Sequence, residues 1–332
     1  MEATANSNAS TSTPPEKQPE RSARSQRHVG DQVFAVSTTL LGGAVLLVVG
    51  VIVLVCARLS APAFAKLGLW HFLGGSDWNP VEDSFGALPF IYGTLMTSAV
   101  AVVVAVPVAI GLALFLTEMA PARVARIVSF LVEILASIPS VVYGLWGLMV
   151  LVPILRDIVE PALGRWLGWL PLFGGPPIGL GFLAAGLLLA IMILPTISSV
   201  TIEVLRTMPG ALREGALALG ATRWEAIRIA TLPYATRGIM GAVILGLARA
   251  LGETMAVTMV IGNQPEIHAS LFSAGYSLPS VIANEFAEAS GAVHTGALAG
   301  LALVLFGVTL LLSASARLLV RLTTRRFSTV VA

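Results

Sequence analysis

The sequence predicts an all-α polytopic membrane protein, with six transmembrane helices and a helix-turn-helix on the cytoplasmic side. Three observations predict it. Hydrophobic residues fill 56% of the 332 positions and charged residues only 11%, against roughly 25% in a soluble domain, so lipid is the main solvent. Six apolar runs approach or exceed the roughly 20 residues that a spanning helix needs. Most of the Lys and Arg residues fall in alternate connecting segments, the bias that orients such helices.

Residues 1–30 are rich in Ser, Thr, Pro, Asn, Glu and Arg. They lack apolar surface to offset chain entropy, so a disordered cytoplasmic tail is expected. The first span is placed at about 33–58. Ala61-Pro62-Ala63-Phe64-Ala65 offers small-x-small cleavage sites, but the run is about 25 residues long and follows a long tail, so it reads as a retained span. The other spans are placed at about 91–117, 127–155, 178–205, 238–262 and 295–320, with a cytoplasmic loop at 206–237.

Orientation follows from the basic residues. One side holds Lys17, Arg21, Arg24 and Arg27, then Arg123 and Arg126, then Arg206, Arg213, Arg223, Arg228 and Arg237, then Arg317, Arg321, Arg325 and Arg326. The other side holds Arg58, Lys66, Arg156 and Arg165. Both termini are therefore expected in the cytoplasm. The pI near 9.0 is a topology signal, and no nucleic-acid partner is implied. Trp70, Trp78, Trp166 and Trp169 fall in outer segments, where their rings suit the headgroup layer. Pro107, Pro139 and Pro195 punctuate the spans, and Gly296 and Gly300 form a small-xxx-small pair that admits a neighbouring helix.

Neither Lys17 nor Lys66 follows a glycine, so no phosphate-binding G-x-x-x-x-G-K-[ST] loop exists. No nucleophile–base constellation appears, and no cofactor is expected on this chain. The single cysteine, Cys56, lies in an apolar run and reads as a packing residue.

The cytoplasmic loop reads RTMPGALREGALALGATRWEAIRIATLPYATRG. Pro209 suits the first turn of a helix and Gly220 its end. Thr222 and Glu225 fit a capping box opening a second helix, which Pro233 closes. A DNA-reading helix-turn-helix is disfavoured, because the loop is too short for its own core and is tethered at both ends. A solvated connector and a docking element for another protein stay open on the residues alone.

The run Glu214-Gly215-Ala216, then Gly220, then Leu232-Pro233 resembles the EAA loop of ABC-importer permeases. Gly215 stands where that pattern has its middle alanine, and Ala230 where it has isoleucine. FGALPFIYGTL (85–95), SIPSVVYGLWG (137–147) and ARALGETMAVTMVIGN (248–263) resemble phosphate importer permeases of the PstC type, over about residues 30–330. The resemblance implies the type I ABC importer permease fold in the plasma (inner) membrane, with the loop as a coupling helix seated on an ATPase. It implies as partners a second permease of the PstA type, an ATPase pair that uses ATP and Mg, and an extracytoplasmic phosphate-binding protein. A permease for sulfate or molybdate, or a stand-alone secondary transporter or channel, stays open as an alternative.

Arg249 and Glu253 are the only charges between Arg237 and Glu266. A charge at mid-span costs about 2.5–3.5 kcal/mol on insertion scales. Four apart on one helix, they are expected to share a face and pair, beside Ala242, Gly246, Gly252 and Ala256. Two roles compete: an ion pair that fixes packing, or an Arg249 fork offered to a passing phosphate with Glu253 as its counter-charge. The resemblance favours the second. Glu133 is expected to partner a nearby arginine, Glu118 and Glu203 to be solvated at span ends, and His268 and His294 to lie on the surface.

Overall fold

The computed structural model of the protein describes residues 29–328. The expected tail therefore lies outside the described residues, apart from Val29 and Gly30, which open the first helix. The described residues divide into two units, with the boundary between Ile52 and Val53. Among the described residues, six helices are long and apolar enough to cross a membrane: Gln32–Leu67, Leu88–Met119, Ser140–Leu167, Phe182–Arg206, Arg223–Gly252 and Ala292–Leu318.

Helix α1 (Val29–Leu67) holds Pro62 in its interior. Within the first unit its large apolar side chains, from Val33 to Ile52, are exposed. A short α2 (Leu69–Gly74) follows, then an antiparallel hairpin of β1 (Trp78–Asn79) and β2 (Ser84–Phe85), with Trp78 opposite Phe85.

In the second unit, α3 (Leu88–Leu114) carries Ala101, Ala105, Ala109 and Ala113 along one buried stripe. Spacing of four puts these small residues on one face, which lets another helix approach closely. That helix is α8: a methyl group added at Gly186 would meet Val100 Cβ at 2.5 Å. A π turn, Phe115–Met119, ends the α3 span.

The expected third span is not one helix. An amphipathic α4 (Ala122–Ser137) stops at extended Ile138, because a residue before proline avoids the helical region. The chain restarts as α5 (Ser140–Trp146), α6 (Val152–Ile154) and α7 (Glu160–Leu167), joined by π turns Gly147–Leu151 and Leu155–Val159. The membrane-length segment is thus Ser140–Leu167.

Helix α8 (Phe182–Arg206) is the core, buried along most of its length despite Pro195. Beyond it lie α9 (Gly210–Ala218), α10 (Arg223–Ala226), a π turn Ile227–Thr231 and α11 (Leu232–Gly252). The expected fifth span, 238–262, is also broken: α11 ends at Gly252 and α12 (Met255–Val260) follows. Helices α13 (Leu278–Glu285) and α14 (Ala292–Ser328) complete the chain. The Gly296–Gly300 pair acts as expected: Gly296 faces the Leu59 carbonyl oxygen, at 2.9 Å from an added methyl, and Gly300 faces the rings of Phe64 and Phe72.

Candidate translocation and docking sites

Two broken helices meet at the first site. Helix α11 ends because Glu253 is extended (φ −71°, ψ 127°), and Thr254 (φ −109°, ψ −67°) turns the chain into α12. Beside it runs the break at Ile138–Pro139. The Tyr143 hydroxyl bridges that second break by donating to the Leu135 carbonyl at 2.7 Å. The breaks touch through Gly144, where an added methyl would meet Met259 Sδ at 2.6 Å and Ala256 Cα at 3.1 Å. Both breaks lie at the ends of membrane-length helices, Ser140–Leu167 and Arg223–Gly252, and non-helical backbone at membrane depth is tolerated only against protein or a water-filled cavity.

The expected Arg249–Glu253 pair does not form. Because the helix stops at Gly252, the two residues do not share a face, and no ion pair joins them among the described residues. Each charge instead occupies a helix end that suits its sign. Arg249 lies in the last turn of α11, where carbonyls carry partial negative charge. Glu253 precedes α12, and its Oε1 accepts from the Ala256 amide at 3.5 Å. Arg249 is exposed, with no carboxylate partner among the described residues, and Tyr143 lies within its field. The small-residue strip is likewise divided. Ala242 and Gly246 are buried, Gly246 against Ile197 of α8; Gly252 faces open space and Ala256 belongs to α12.

The second site is α9 and the turn after it. Gly220 has φ 89°, a conformation that disfavours a side chain. Its amide donates to the Leu217 carbonyl at 3.0 Å, and the Ala221 amide to the Ala216 carbonyl at 3.2 Å. That double bond is the Schellman closure of a helix. The capping box is present as expected, Thr222 with Glu225. Glu214 is exposed, Ala216 is buried, and a methyl at Gly215 would meet nothing within 4 Å. Glycine there removes no contact that alanine would make. Leu212, Leu217, Leu219 and Trp224 are exposed around the turn.

Pro209 is the N-cap of α9 and not its first residue. Pro233 does not close a helix: Leu232 and Pro233 open α11, so the loop's second helix continues into the fifth span. The π turn before them makes this possible. The Leu232 amide reaches back to the Ile227 carbonyl, and the wider turn relieves the ring clash and missing donor of proline.

Other expectations are corrected by packing. Glu118 is not solvated: its side chain is 7% exposed and it accepts from Arg213 Nη1 at 2.9 Å. Glu133 has no arginine partner within ion-pair distance among the described residues; it lines a groove with Ser129, Glu203 and Arg206, where Arg206 pairs with exposed Glu203 at 3.1 Å. His294 is buried, stacked on Phe85 with ring centres 5.2 Å apart, and Glu285 Oε2 lies 3.3 Å from its Nε2. His268 is exposed and pairs with Glu266. Trp70, Trp166 and Trp169 are exposed, whereas Trp78 is half-buried and donates to Glu285 at 2.8 Å. The sequence marked neither Tyr143 nor buried Glu160, whose Oε2 accepts from the Gly179 amide at 2.9 Å. Tyr143 carried one available signal, its position four residues beyond a proline that breaks a span.

The family described as "Binding-protein-dependent transport system inner membrane component" matches residues 105–329. The "Phosphate transport system permease protein PstC" of Mesorhizobium japonicum is 46% identical over 291 residues, covering 86% of this chain and 89% of that protein. Its namesake from Pasteurella multocida is 44% identical over 304 residues, covering 90% and 93%. Among solved structures, a bacterial alginate ABC transporter, in complex with an alginate-bound periplasmic protein, aligns with TM-score 0.60 at 19% identity, over 90% of this chain and 99% of that one. The inward-facing methionine transporter MetNI aligns with TM-score 0.53 at 21% identity, over 70% and 93%. At such identities the two structures support the fold, which is that of an ABC transporter permease. The chain belongs to the family of binding-protein-dependent transport system inner membrane components, and within it to the PstC permeases.

Proposed function

We propose that this chain is the permease subunit of an ATP-driven importer, and that it carries inorganic phosphate past Arg249. The observation that carries the pathway is an exposed guanidinium without a carboxylate partner, held in the last turn of α11 beside two helix breaks. A planar, permanently charged fork suits two oxygens of a tetrahedral anion. Glu253, held at the break itself, repels an anion that lingers.

Energy comes from outside the chain. The α9 turn, with Glu214, Gly215, Ala216 and Gly220, presents a small docking surface to one ATPase of a pair, and Leu232-Pro233 joins it to α11. ATP and Mg belong to that partner. A second permease of the PstA type completes the pathway, and an extracytoplasmic binding protein delivers the anion at the end opposite α9. Both termini lie in the cytoplasm.

The test is Arg249→Ala in the assembled importer, reconstituted in vesicles. Losing one charged bidentate contact, worth about 1.5–3 kcal/mol, lowers phosphate uptake about ten- to hundredfold. Assembly and ATP hydrolysis persist. Normal uptake refutes the role of Arg249, and equal uptake of sulfate or molybdate in competition refutes the choice of phosphate.

A further inference from the structure

We infer that Glu118 and Arg213 form a strut through which the docking helix drives α3, and through α3 the loop at the opposite end of the protein. The inference rests on reading α9 as the ATPase-docking helix. Arg213 Nη1 donates to Glu118 Oε2 at 2.9 Å across 95 positions of sequence. The carboxylate is buried and makes no other hydrogen bond among the described residues, while its arginine is 45% exposed.

The pair stands where α9 has little else to grip. Ala216 is the buried residue of α9, and the helix packs on α10 and the π turn Ile227–Thr231. Neither belongs to α3. The foot of α3, in contrast, is set firmly: Ala113 and Leu116 are buried with Ile202 and Leu205 of α8 and Ala235 and Ile239 of α11. The π turn Phe115–Met119 supplies the last turn of the span and holds Glu118 there.

Electrostatics makes the contact stiff. If α9 moved alone, the charge-assisted hydrogen bond at 2.9 Å would have to break, and bonds between two ionised groups are among the stronger ones. The lower-energy course is for α3 to follow. Its other end is tied to the segment after α12: the Tyr92 hydroxyl donates to the His268 carbonyl at 2.8 Å, and Thr94 Oγ1 accepts from the Leu278 amide at 2.9 Å. Glu118 and Thr94 lie on one continuous helical segment, Leu88–Met119, with Pro107 inside it and the π turn at its end, and are about 36 Å apart at 1.5 Å per residue. One lever therefore joins the docking helix to the far loop. Glu118 and Arg213 are positioning residues and touch no cargo.

The test uses the whole importer in lipid vesicles and reads phosphate uptake per ATP hydrolysed. Glu118→Arg and Arg213→Glu each retain their ATPases through purification but lose about tenfold in that ratio, the scale of a coupling between two sites. The double exchange, Glu118→Arg with Arg213→Glu, restores most of it, a rescue that general loosening of the fold does not give. Unchanged coupling in the single variants, or a double exchange no better than either, overturns the strut. If Glu118→Arg does not accumulate, Arg213→Gln alters the exposed partner alone and carries the same expectation and the same refutation. Glu214→Ala and Gly220→Val test the docking reading separately: retained ATPases and normal uptake in both defeat that reading, whatever the strut variants do.

Discussion

Tyr276 is 5% exposed, and its hydroxyl accepts from Asn284 Nδ2 at 3.0 Å. Burial pushes its pKa from 10.0 up to about 12, with Glu285 and Glu288 adding to the effect and Asn284 opposing it. The folded chain therefore keeps a proton that the unfolded chain releases first. Its stabilising contribution is complete below pH 10 and is lost as pH rises to about 12. Thermal unfolding in detergent should fall across that window, and Tyr276→Phe should show a shallower fall; equal slopes would remove the assignment. Nothing in the sequence marked this tyrosine, because its shift comes from packing among distant segments. Arg249 and Glu253 were legible as a charged pair in an apolar run, but their relation was not. Their spacing predicts contact only on an unbroken helix, and the chain turns at Glu253.

Each of the four π turns among the described residues is followed, two residues later, by a proline: Pro121, Pro153, Pro161 and Pro233. A proline ring clashes with the carbonyl four residues before it and offers no donor. At Pro153, Pro161 and Pro233 one extra residue in the preceding turn relieves both faults and lets helical structure resume, whereas before Pro121 the helix ends at extended Ala120. This is why Pro233 opens α11 where the sequence reading had it end a helix. The extra residue also sets the heading of the docking element, since removing it rotates everything upstream by about 100°. Pro233→Ala, which permits a regular turn, should therefore weaken ATPase capture and lower uptake while the spans remain intact. Wild-type ATPase co-purification would show that the π turn does not set the docking angle. Spans one, two, four and six were legible because length and apolarity define them. Spans three and five were misplaced because an apolar run conceals a break, and Pro139 and Gly252-Glu253 act only through local backbone geometry.

At the scale of the molecule, the second unit carries opposite charge at the two ends of its α3 span. Near the foot lie Arg123, Arg126, Arg206, Arg213 and Arg223, on or beside α4, α9 and α10. Toward the start of α3 lie Asp77, Glu82, Asp83, Glu266 and Glu285, with Lys66 bound to Asp83 at 2.6 Å. On the orientation proposed above, the basic end faces the cytoplasm, as the rule that Lys and Arg are retained there requires. Labelling tests this directly. With the single cysteine, Cys56, replaced by alanine, a new cysteine at Val81 or at Leu219 gives one reporter at each end. Both positions are highly exposed on the chain itself, 94% and 91%, so in cells that express it without its ATPase access to the reagent depends on the membrane and not on burial. An impermeant thiol reagent should label Val81→Cys in intact cells and Leu219→Cys only after permeabilisation. The reverse result would place α9 outside, away from ATP, and a docking helix there could not receive the motion that the importer requires.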